Sequence, residues 1–503
     1  MDEHRHELRQ LGLFGLAAGA LVAGLYLVPA AAPLRPWVPG EPLPLIHIVS
    51  DDIQVAENAR GELEEVTVVA APPAEITLAS ATLSGPSEPE PPSDPAIIDI
   101  ATLPAHDPAM PVALALAPGG LDRFFGALAA AEDGEPGRVV RVLHWGDSTI
   151  AADGIAGTVR QRLTTRFGDG GPGFLAVAVD PQWSLRPGIT RATEGEWQSY
   201  NITFGGPDVT RYGLAGIVST ATTQASASLS GQRTDKGRQA IAHADVYYQA
   251  QPGGGTLTVT PRGGATWSAS TAAEKVADRY KDLNGGGATS LYLSAAGDGP
   301  VTLYGVALET AGPGVTWEAF GVAGSSIGSL TRQSKAHLAA QVGRRNPDLV
   351  VYMTGGNEVG YPSLSSGEGA GYRDAYRIAL QKLRAGAPQA SCLVIGPLDQ
   401  ARRERGKVES KPMLTRMIAL QRAVALQEGC AFWDARASMG GEGGFQRFLD
   451  FTPRMAWTDL MHLTTEGLDR VGQSLADALL GSYDAWRRAH PEAGYHAASG
   501  SAG

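Results

Sequence analysis

Short apolar runs alternate with amphipathic runs over most of the second half of the chain and in one stretch before it. The amphipathic runs have helical spacing, and alternation of this kind is typical of a parallel sheet covered by helices on both faces. We therefore predict helices near 151–167, 327–344, 372–384, 413–428 and 466–487. The five apolar runs predict buried parallel strands at 139–144, 315–320, 349–353, 392–395 and 431–433.

The stretch 177–314 breaks this alternation. It is rich in Gly, Ser and Thr, and its apolar residues alternate with polar ones, as in residues 256–260. Short period-two strands separated by glycine clusters indicate an all-β sandwich. We predict that this β domain is inserted between two parts of the α/β domain, 113–176 and 315–490. The tryptophans of this stretch, Trp183, Trp197 and Trp267, fit two roles. They belong to the sandwich core, or they are platforms on which sugar rings stack.

Residues 11–32 form an uncharged apolar run that is long enough to cross a bilayer at about 1.5 Å per residue. A cleaved signal peptide is the alternative, because the small residues 30–32 suit a signal peptidase. We favour an uncleaved single-pass anchor, since the run is longer than the apolar core of a typical signal peptide. Residues 1–10 are then expected to be cytoplasmic, although arginines on both sides of the run give a weak orientation signal.

Residues 33–112 have the composition of an extended linker. Between Pro33 and Pro108 lie fourteen of the 33 prolines, with thirteen acidic residues against two basic ones, and such a stretch buries too little apolar surface to offset chain entropy. It accounts for the whole formal charge of −11, since the rest of the chain has thirty-nine charges of each sign. A charge-balanced folded part without a basic cluster argues against nucleic acid as a partner. Residues 491–503 are expected to form a flexible tail.

The two cysteines, Cys392 and Cys430, are too few for a disulfide framework, and they lack the spaced partners of a zinc site. They fit either two reduced core residues or one bridge between neighbouring strands in an oxidising compartment. The sequence leaves both alternatives open.

A candidate nucleophile follows the first predicted strand, in the run Gly146-Asp147-Ser148. Ser148 follows the carboxyl end of this strand and precedes a helix. Open α/β sheets bind ligands outside the carboxyl ends of their strands. Three residues are a weak motif, and a helix cap would explain them equally well. Ser148 therefore needs a base and an oxyanion site elsewhere in the chain.

The best-placed base is His462, just before the last predicted helix. Asp459 precedes it by three residues, so one turn of chain can bring the carboxylate to the imidazole Nδ1 and leave Nε2 to take the serine proton. A surface turn is the plainer interpretation of an Asp-x-x-His run taken alone.

Two further strand ends carry groups suited to an oxyanion. Asn357, in the run Gly355-Gly356-Asn357-Glu358, follows the strand at 349–353 and has an amide that can donate a hydrogen bond. Gly324 follows the strand at 315–320 and leaves a backbone N–H unobstructed. Both are also ordinary residues for turns.

Taken in order, these four pieces resemble the SGNH (GDSL-type) hydrolase family. The resemblance implies a flavodoxin-like three-layer α/β/α domain with a five-stranded parallel sheet. It also implies a catalytic set of Ser148, Asp459 and His462, and an oxyanion hole formed by the N–H groups of Ser148 and Gly324 and the Asn357 side chain. No metal or organic cofactor is expected.

The insert, together with residues 167–174 and 429–434, looks like a subgroup that includes bacterial peptidoglycan O-acetylesterases, in which the insert resembles a carbohydrate-binding module. Thr149, in place of a frequent histidine, and Glu358 depart from that subgroup's pattern and leave the substrate in question.

The resemblance predicts a serine esterase that removes O-acetyl groups from a cell-envelope glycan through an acyl-enzyme. An O-acetyltransferase acting on an envelope glycan and a noncatalytic glycan-binding anchor are the alternatives. With the apolar run as an anchor, the expected location is the inner membrane, with the catalytic domain on the periplasmic side.

Overall fold

The computed structural model describes residues 112–179, 184–206 and 209–494. The predicted anchor at 11–32, the linker up to residue 111, Trp183 and the end of the tail lie outside the described residues. None of the helices in the described part has the length and apolar character needed to cross a bilayer.

The elements are numbered in chain order. The strands are β1 Val139–Gly146, β2 Gly173–Leu175, β3 Arg191–Glu194, β4 Gln198–Asn201, β5 Ile217–Ala221, β6 Ala225–Ser230, β7 Arg233–Thr234, β8 Gly237–Arg238, β9 Ile241–Ala250, β10 Thr256–Pro261, β11 Trp267–Ser270, β12 Ala277–Ala288, β13 Ser290–Ala295, β14 Val301–Glu309, β15 Gly314–Gly321, β16 Leu349–Met353, β17 Ser391–Ile395, β18 Ala401–Glu404, β19 Lys407–Ser410 and β20 Ala431–Trp433. The helices are α1 Asp122–Glu132, α2 Ser148–Ala151, α3 Gly154–Phe167, α4 Lys335–Arg345, α5 Pro362–Ser365, α6 Ala370–Arg384, α7 Met413–Gln427, α8 Ala435–Ser438, α9 Gly444–Asp450 and α10 Thr465–Ala489.

The central sheet has the order β15-β1-β16-β17-β20, and all its strand pairs are parallel. The five predicted strands are thereby confirmed. Their carboxyl ends share one edge of the sheet, because Gly146 in β1 is in register with both Gly321 in β15 and Met353 in β16. This edge carries the segments that contain the predicted site residues.

Helices cover both faces of this sheet, as predicted. Along β1, Val140 and Val142 pack in a core formed with α1, α3 and α10. Leu143 and Trp145 point to the opposite face and pack in a second core formed with α4, α6 and α7. Since successive side chains of a strand alternate between faces, a strand buried on both sides reads as a continuous apolar run.

Two predicted helix boundaries differ from the structure. The helix expected at 151–167 is divided into α2 and α3 at Asp153, whose φ of 55° is left-handed. The helix expected from residue 327 begins at Lys335, because the side chain of Ser334 accepts a hydrogen bond from the His337 N–H and caps the first turn. A 3-10 helix, Ser329–Arg332, occupies part of the remaining stretch.

The insert consists of two larger antiparallel sheets, with orders β11-β10-β13-β6-β3 and β12-β9-β14-β5-β4. Side chains of both, such as Leu293 and Val306, form one shared core, which is the arrangement of a sandwich. The sheet is entered earlier than the predicted boundary at 177, since β2 pairs with β14. Trp197 and Trp267 pack against this core, and Trp197 Nε1 donates to Ser226 O over 3.1 Å, so both have a structural role.

A buried ionic network joins the insert to the central sheet. Arg345, at the end of α4, donates to Glu318 in β15 and to Glu309 in β14, each over 2.5 Å. Arg141 in β1 binds the same Glu309 with two hydrogen bonds of 2.7 and 2.9 Å. Each buried charge is thus paired, as burial requires, and the last strand of the insert is fixed against the α/β domain.

Cys392 and Cys430 form a disulfide with a Cα–Cα distance of 4.5 Å. Cys392 lies in β17 and Cys430 immediately precedes β20, and these strands are neighbours in the sheet. Of the two alternatives that the sequence leaves open, the structure therefore has the bridge.

Candidate active site

The predicted nucleophile lies at the end of β1, in a tight turn into α2. A Cβ atom on Gly146 would overlap Ile150 Cγ1 and lie 2.8 Å from Met353 O, so glycine is needed where the chain leaves the sheet. Asp147 caps α2, and its Oδ1 accepts the Thr149 N–H over 2.9 Å. Burial has the largest influence on the pKa of Asp147 and raises it. Hydrogen bonds from Thr149 and Gly356 lower the pKa but do not outweigh burial.

Ser148 meets its predicted base across 314 residues of sequence. Ser148 Oγ lies 3.2 Å from His462 Nε2, and His462 Nδ1 lies 2.7 Å from Asp459 Oδ2. Both distances are within hydrogen-bond reach. The structure therefore brings the three predicted residues into one chain of hydrogen bonds.

The short loop before α10 fixes the position of His462, the predicted base. Asp459 Oδ1 accepts the backbone N–H groups of Met461 and His462 over 2.9 and 3.0 Å, and the turn places Leu460 at a φ of 65°. Burial favours a higher pKa for Asp459, but hydrogen bonds from the His462 side chain and from these two N–H groups outweigh it and hold the pKa below its usual value. The carboxylate therefore stays ionised and can accept a hydrogen bond from His462 Nδ1–H.

Besides Ser148, the two other predicted oxyanion residues, Gly324 and Asn357, lie on adjoining loops. Gly324 has a φ of 74° in the loop after β15, a conformation that suits glycine. Asn357 Nδ2 donates to Ser325 O over 2.9 Å, and Ser325 Oγ donates to Gly146 O over 3.1 Å. Ser325 thus links the Gly324 and Asn357 loops to the strand end that precedes Ser148.

Two residues at this site had no functional signal in the sequence. Glu358, noted there only as a departure, is fully buried behind the Asn357 loop and binds three hydrogen-bond donors. Gln400 follows β17, and its Nε2 would lie 2.8 Å from a Cβ atom on Gly356. Its Oε1 accepts from Lys411 Nζ over 2.9 Å. Both belong to irregular segments, where a single sequence shows no periodic pattern.

The insert reaches the edge of the site through a turn after β4. Asn201 Oδ1 accepts the N–H groups of Thr203 and Phe204, each over 3.0 Å. A Cβ atom on Gly324 would lie 3.3 Å from Thr203 Cγ2. Phe204 in this turn and Trp457 in the loop before α10 are both about half exposed. Exposed aromatic rings therefore lie on segments next to the Gly324 loop and next to His462.

The sheet order, the serine after β1 and the Asp-His pair before the last helix form the arrangement expected from the resemblance to the SGNH (GDSL-type) hydrolases. Residues 283–470 match the GDSL-like Lipase/Acylhydrolase family, and the predicted resemblance is confirmed. This match starts within the insert and does not include Ser148, which precedes the insert. A search of curated proteins found no match.

Among solved structures, the chain is similar in fold to a peptidoglycan O-acetylesterase, with 22% identity and a TM-score of 0.60 over 72% of this chain and 96% of that one. An acetyl xylan esterase, AlAXEase, matches with 21% identity and a TM-score of 0.24 over 32% of this chain and 78% of that one. The acetylxylan esterase Axe2 from Geobacillus stearothermophilus, solved as a catalytic mutant, matches with 21% identity and a TM-score of 0.24 over 34% and 73%.

Proposed function

We propose that this chain is a serine esterase that removes O-acetyl groups from a cell-envelope carbohydrate such as peptidoglycan. The observation that carries the proposal is the chain of hydrogen bonds from Ser148 Oγ through His462 to Asp459, with distances of 3.2 and 2.7 Å. A serine hydroxyl with a base and an orienting carboxylate in line is the arrangement that activates an oxygen nucleophile for acyl transfer.

The reaction proceeds in two steps. Ser148 Oγ attacks the acetyl carbonyl carbon while its proton passes to His462 Nε2, and the tetrahedral oxyanion accepts hydrogen bonds from the N–H groups of Ser148 and Gly324 and from the Asn357 amide. The C–O bond to the sugar then breaks, and the sugar oxygen takes the proton from His462. Next, His462 takes a proton from water, the resulting hydroxide attacks the acyl-enzyme, and acetate leaves as Ser148 regains its proton.

The ionised Asp459 orients this base. By accepting a hydrogen bond from Nδ1–H it holds His462 in the tautomer whose Nε2 lone pair faces Ser148, and it stabilises the imidazolium that forms. Because the carboxylate is fixed by two backbone N–H groups, little reorganisation is needed during the reaction.

The proposed carbohydrate substrate is supported by the likeness in fold to a peptidoglycan O-acetylesterase. It is also supported by the half-exposed Phe204 and Trp457, since aromatic rings offer an apolar face with a low entropy cost on binding. The disulfide supports the proposed periplasmic location, because such bridges persist in oxidising compartments. A single-pass anchor at 11–32 would hold the enzyme on that side of the membrane.

The test is release of acetate by the full-length protein in detergent. We expect free acetate from O-acetylated peptidoglycan, less from acetylated xylan and none from de-O-acetylated peptidoglycan. A chitooligosaccharide acceptor, included in a parallel reaction, detects transfer. If acetyl groups appear only on the acceptor and no acetate is released, the protein is an acetyltransferase and the esterase proposal is wrong.

A further inference from the structure

Glu358 directly follows the proposed oxyanion residue Asn357, yet its environment is quite different. The Asn357 side chain is partly exposed, whereas Glu358 has an exposed fraction of 0%. A carboxylate without water needs several hydrogen-bond donors or a cation. An ionised Glu358 is therefore stable here only if neighbouring groups donate hydrogen bonds to it.

Its donors come from three different elements. Glu358 Oε1 accepts the Ile327 N–H over 2.6 Å and the Thr354 hydroxyl over 2.8 Å, and Oε2 accepts the Tyr372 hydroxyl over 2.9 Å. Ile327 belongs to the loop that carries Gly324, Thr354 follows β16, and Tyr372 lies in α6. One carboxylate thus joins the Gly324 loop to the end of β16 and to a core helix.

This junction adds to the contact that Asn357 makes. Asn357 Nδ2 already donates to Ser325 O in the Gly324 loop. Asn357 and Glu358, two consecutive residues, therefore both bind the Gly324 loop. An oxyanion hole works only if its donors converge on one point, and an error of about 1 Å in such a geometry costs on the order of a hundredfold in rate.

We propose that Glu358 is a positioning residue whose ionised carboxylate holds the Gly324 loop against the Asn357 loop, so that both oxyanion donors face the same acyl oxygen. The inference rests on the proposed function, because it assigns a role within the same site. Glu358 itself touches neither substrate nor nucleophile.

The surroundings of Glu358 link this role to pH. The titratable groups that face it are Asp147 at the end of β1, Tyr352 in β16, and Tyr372 and Tyr376 in α6. Burial, with a smaller contribution from Asp147, raises the pKa of Glu358 to about 7, against the hydrogen bonds from Thr354, Ile327 and Tyr372.

Protonation would remove one acceptor from this junction. The Ile327 N–H cannot reverse its direction, and the Tyr372 hydroxyl oxygen already accepts from Gln421 Nε2 over 2.8 Å. A proton on the carboxyl group therefore leaves one donor poorly satisfied and loosens the two loops. Activity should accordingly fall as the pH drops through the pKa of Glu358.

The experiment measures kcat, KM and their pH dependence with a chromogenic acetate ester, using the full-length wild type and Glu358→Gln. The amide offers one acceptor where the carboxylate offers two, so we expect kcat to fall about ten- to a hundredfold with KM within about threefold of the wild-type value. Glu194→Gln, at an exposed carboxylate of β3, is the matched control and should behave as wild type.

The acid limb of log kcat/KM gives a readout that a merely structural role would not change. In wild type, loss of a proton from both His462 and Glu358 raises the rate, so the slope should exceed one over the range in which Glu358 titrates; in Glu358→Gln it should be about one. Tyr372→Phe keeps the carboxylate but removes a donor to its ionised form, and should move the acid limb to higher pH.

Three results separate the outcomes. Should wild type fail to hydrolyse the ester, the proposed function itself fails, and the role of Glu358 with it. Should wild type be active and Glu358→Gln equal it in kcat and in acid-limb slope, only the positioning role is wrong. If Glu358→Gln does not fold, as circular dichroism would show, Tyr372→Phe decides, and an unmoved acid limb overturns the proposal.

Discussion

Replacing Ser148 by alanine is expected to lower kcat for acetate-ester hydrolysis by roughly 10⁵- to 10⁶-fold. The only atom lost is Oγ, which lies 3.2 Å from His462 Nε2 and forms the acyl bond in the proposed mechanism. KM should change little, because the hydroxyl contributes to the reaction far more than to ground-state binding. Steady-state kinetics with a chromogenic acetate ester measure both constants.

His462→Ala provides an internal check on this prediction. Nucleophile and base act as one unit, so the double variant should be no slower than either single variant. Ser365→Ala, at an exposed serine in α5, is the matched control and should retain wild-type kinetics. Independent, multiplying losses in the double variant would show that the two side chains do not share one proton transfer.

The second large effect is expected for Asn357→Ala, at about a 10²- to 10³-fold loss in kcat with KM nearly unchanged. The amide donor is most valuable when negative charge has developed on the acyl oxygen, so its removal affects the transition state more than the bound substrate. Asn357→Asp should be at least as damaging, because a carboxylate of similar shape repels the oxyanion instead of donating to it.

A structural effect must be separated from this electrostatic one, because Asn357 Nδ2 also donates to Ser325 O. Thermal unfolding of the two variants makes the separation. We expect a large loss of kcat with a Tm near that of wild type. A fall in kcat that only matches the fraction of unfolded protein would instead assign Asn357 a purely structural role. Asn284→Ala, at an exposed position of β12, controls for loss of an asparagine.

The sequence predicted those parts of the molecule whose signals are local. A parallel strand buried on both faces is a continuous apolar run, so β1, β15, β16, β17 and β20 were recognisable without their partners. Because the carboxyl ends of such strands meet at one edge, residues directly after them, such as Ser148, Gly324 and Asn357, were expected near one another. His462 and Asp459 were found through their spacing before a strong final helix.

What the sequence did not predict depends on contacts between distant segments. Glu358 becomes meaningful only once Ile327 and Tyr372 are seen to donate to it. Similarly, the disulfide depends on the adjacency of β17 and β20, and the early entry into the insert depends on the pairing of β2 with β14. The helix expected from residue 327 starts at Lys335, where the side chain of Ser334 caps the first turn.

If acyl transfer passes through an ester on Ser148, that acyl-enzyme can be trapped. Full-length protein is mixed with a chromogenic acetate ester, quenched in acid within the first turnover, digested and analysed by mass spectrometry. We expect an acetyl group on the peptide that carries Ser148 in wild type, and none on that peptide in Ser148→Ala. Rapid turnover with no acetylated Ser148, or with the acetyl group on a different residue, would contradict it.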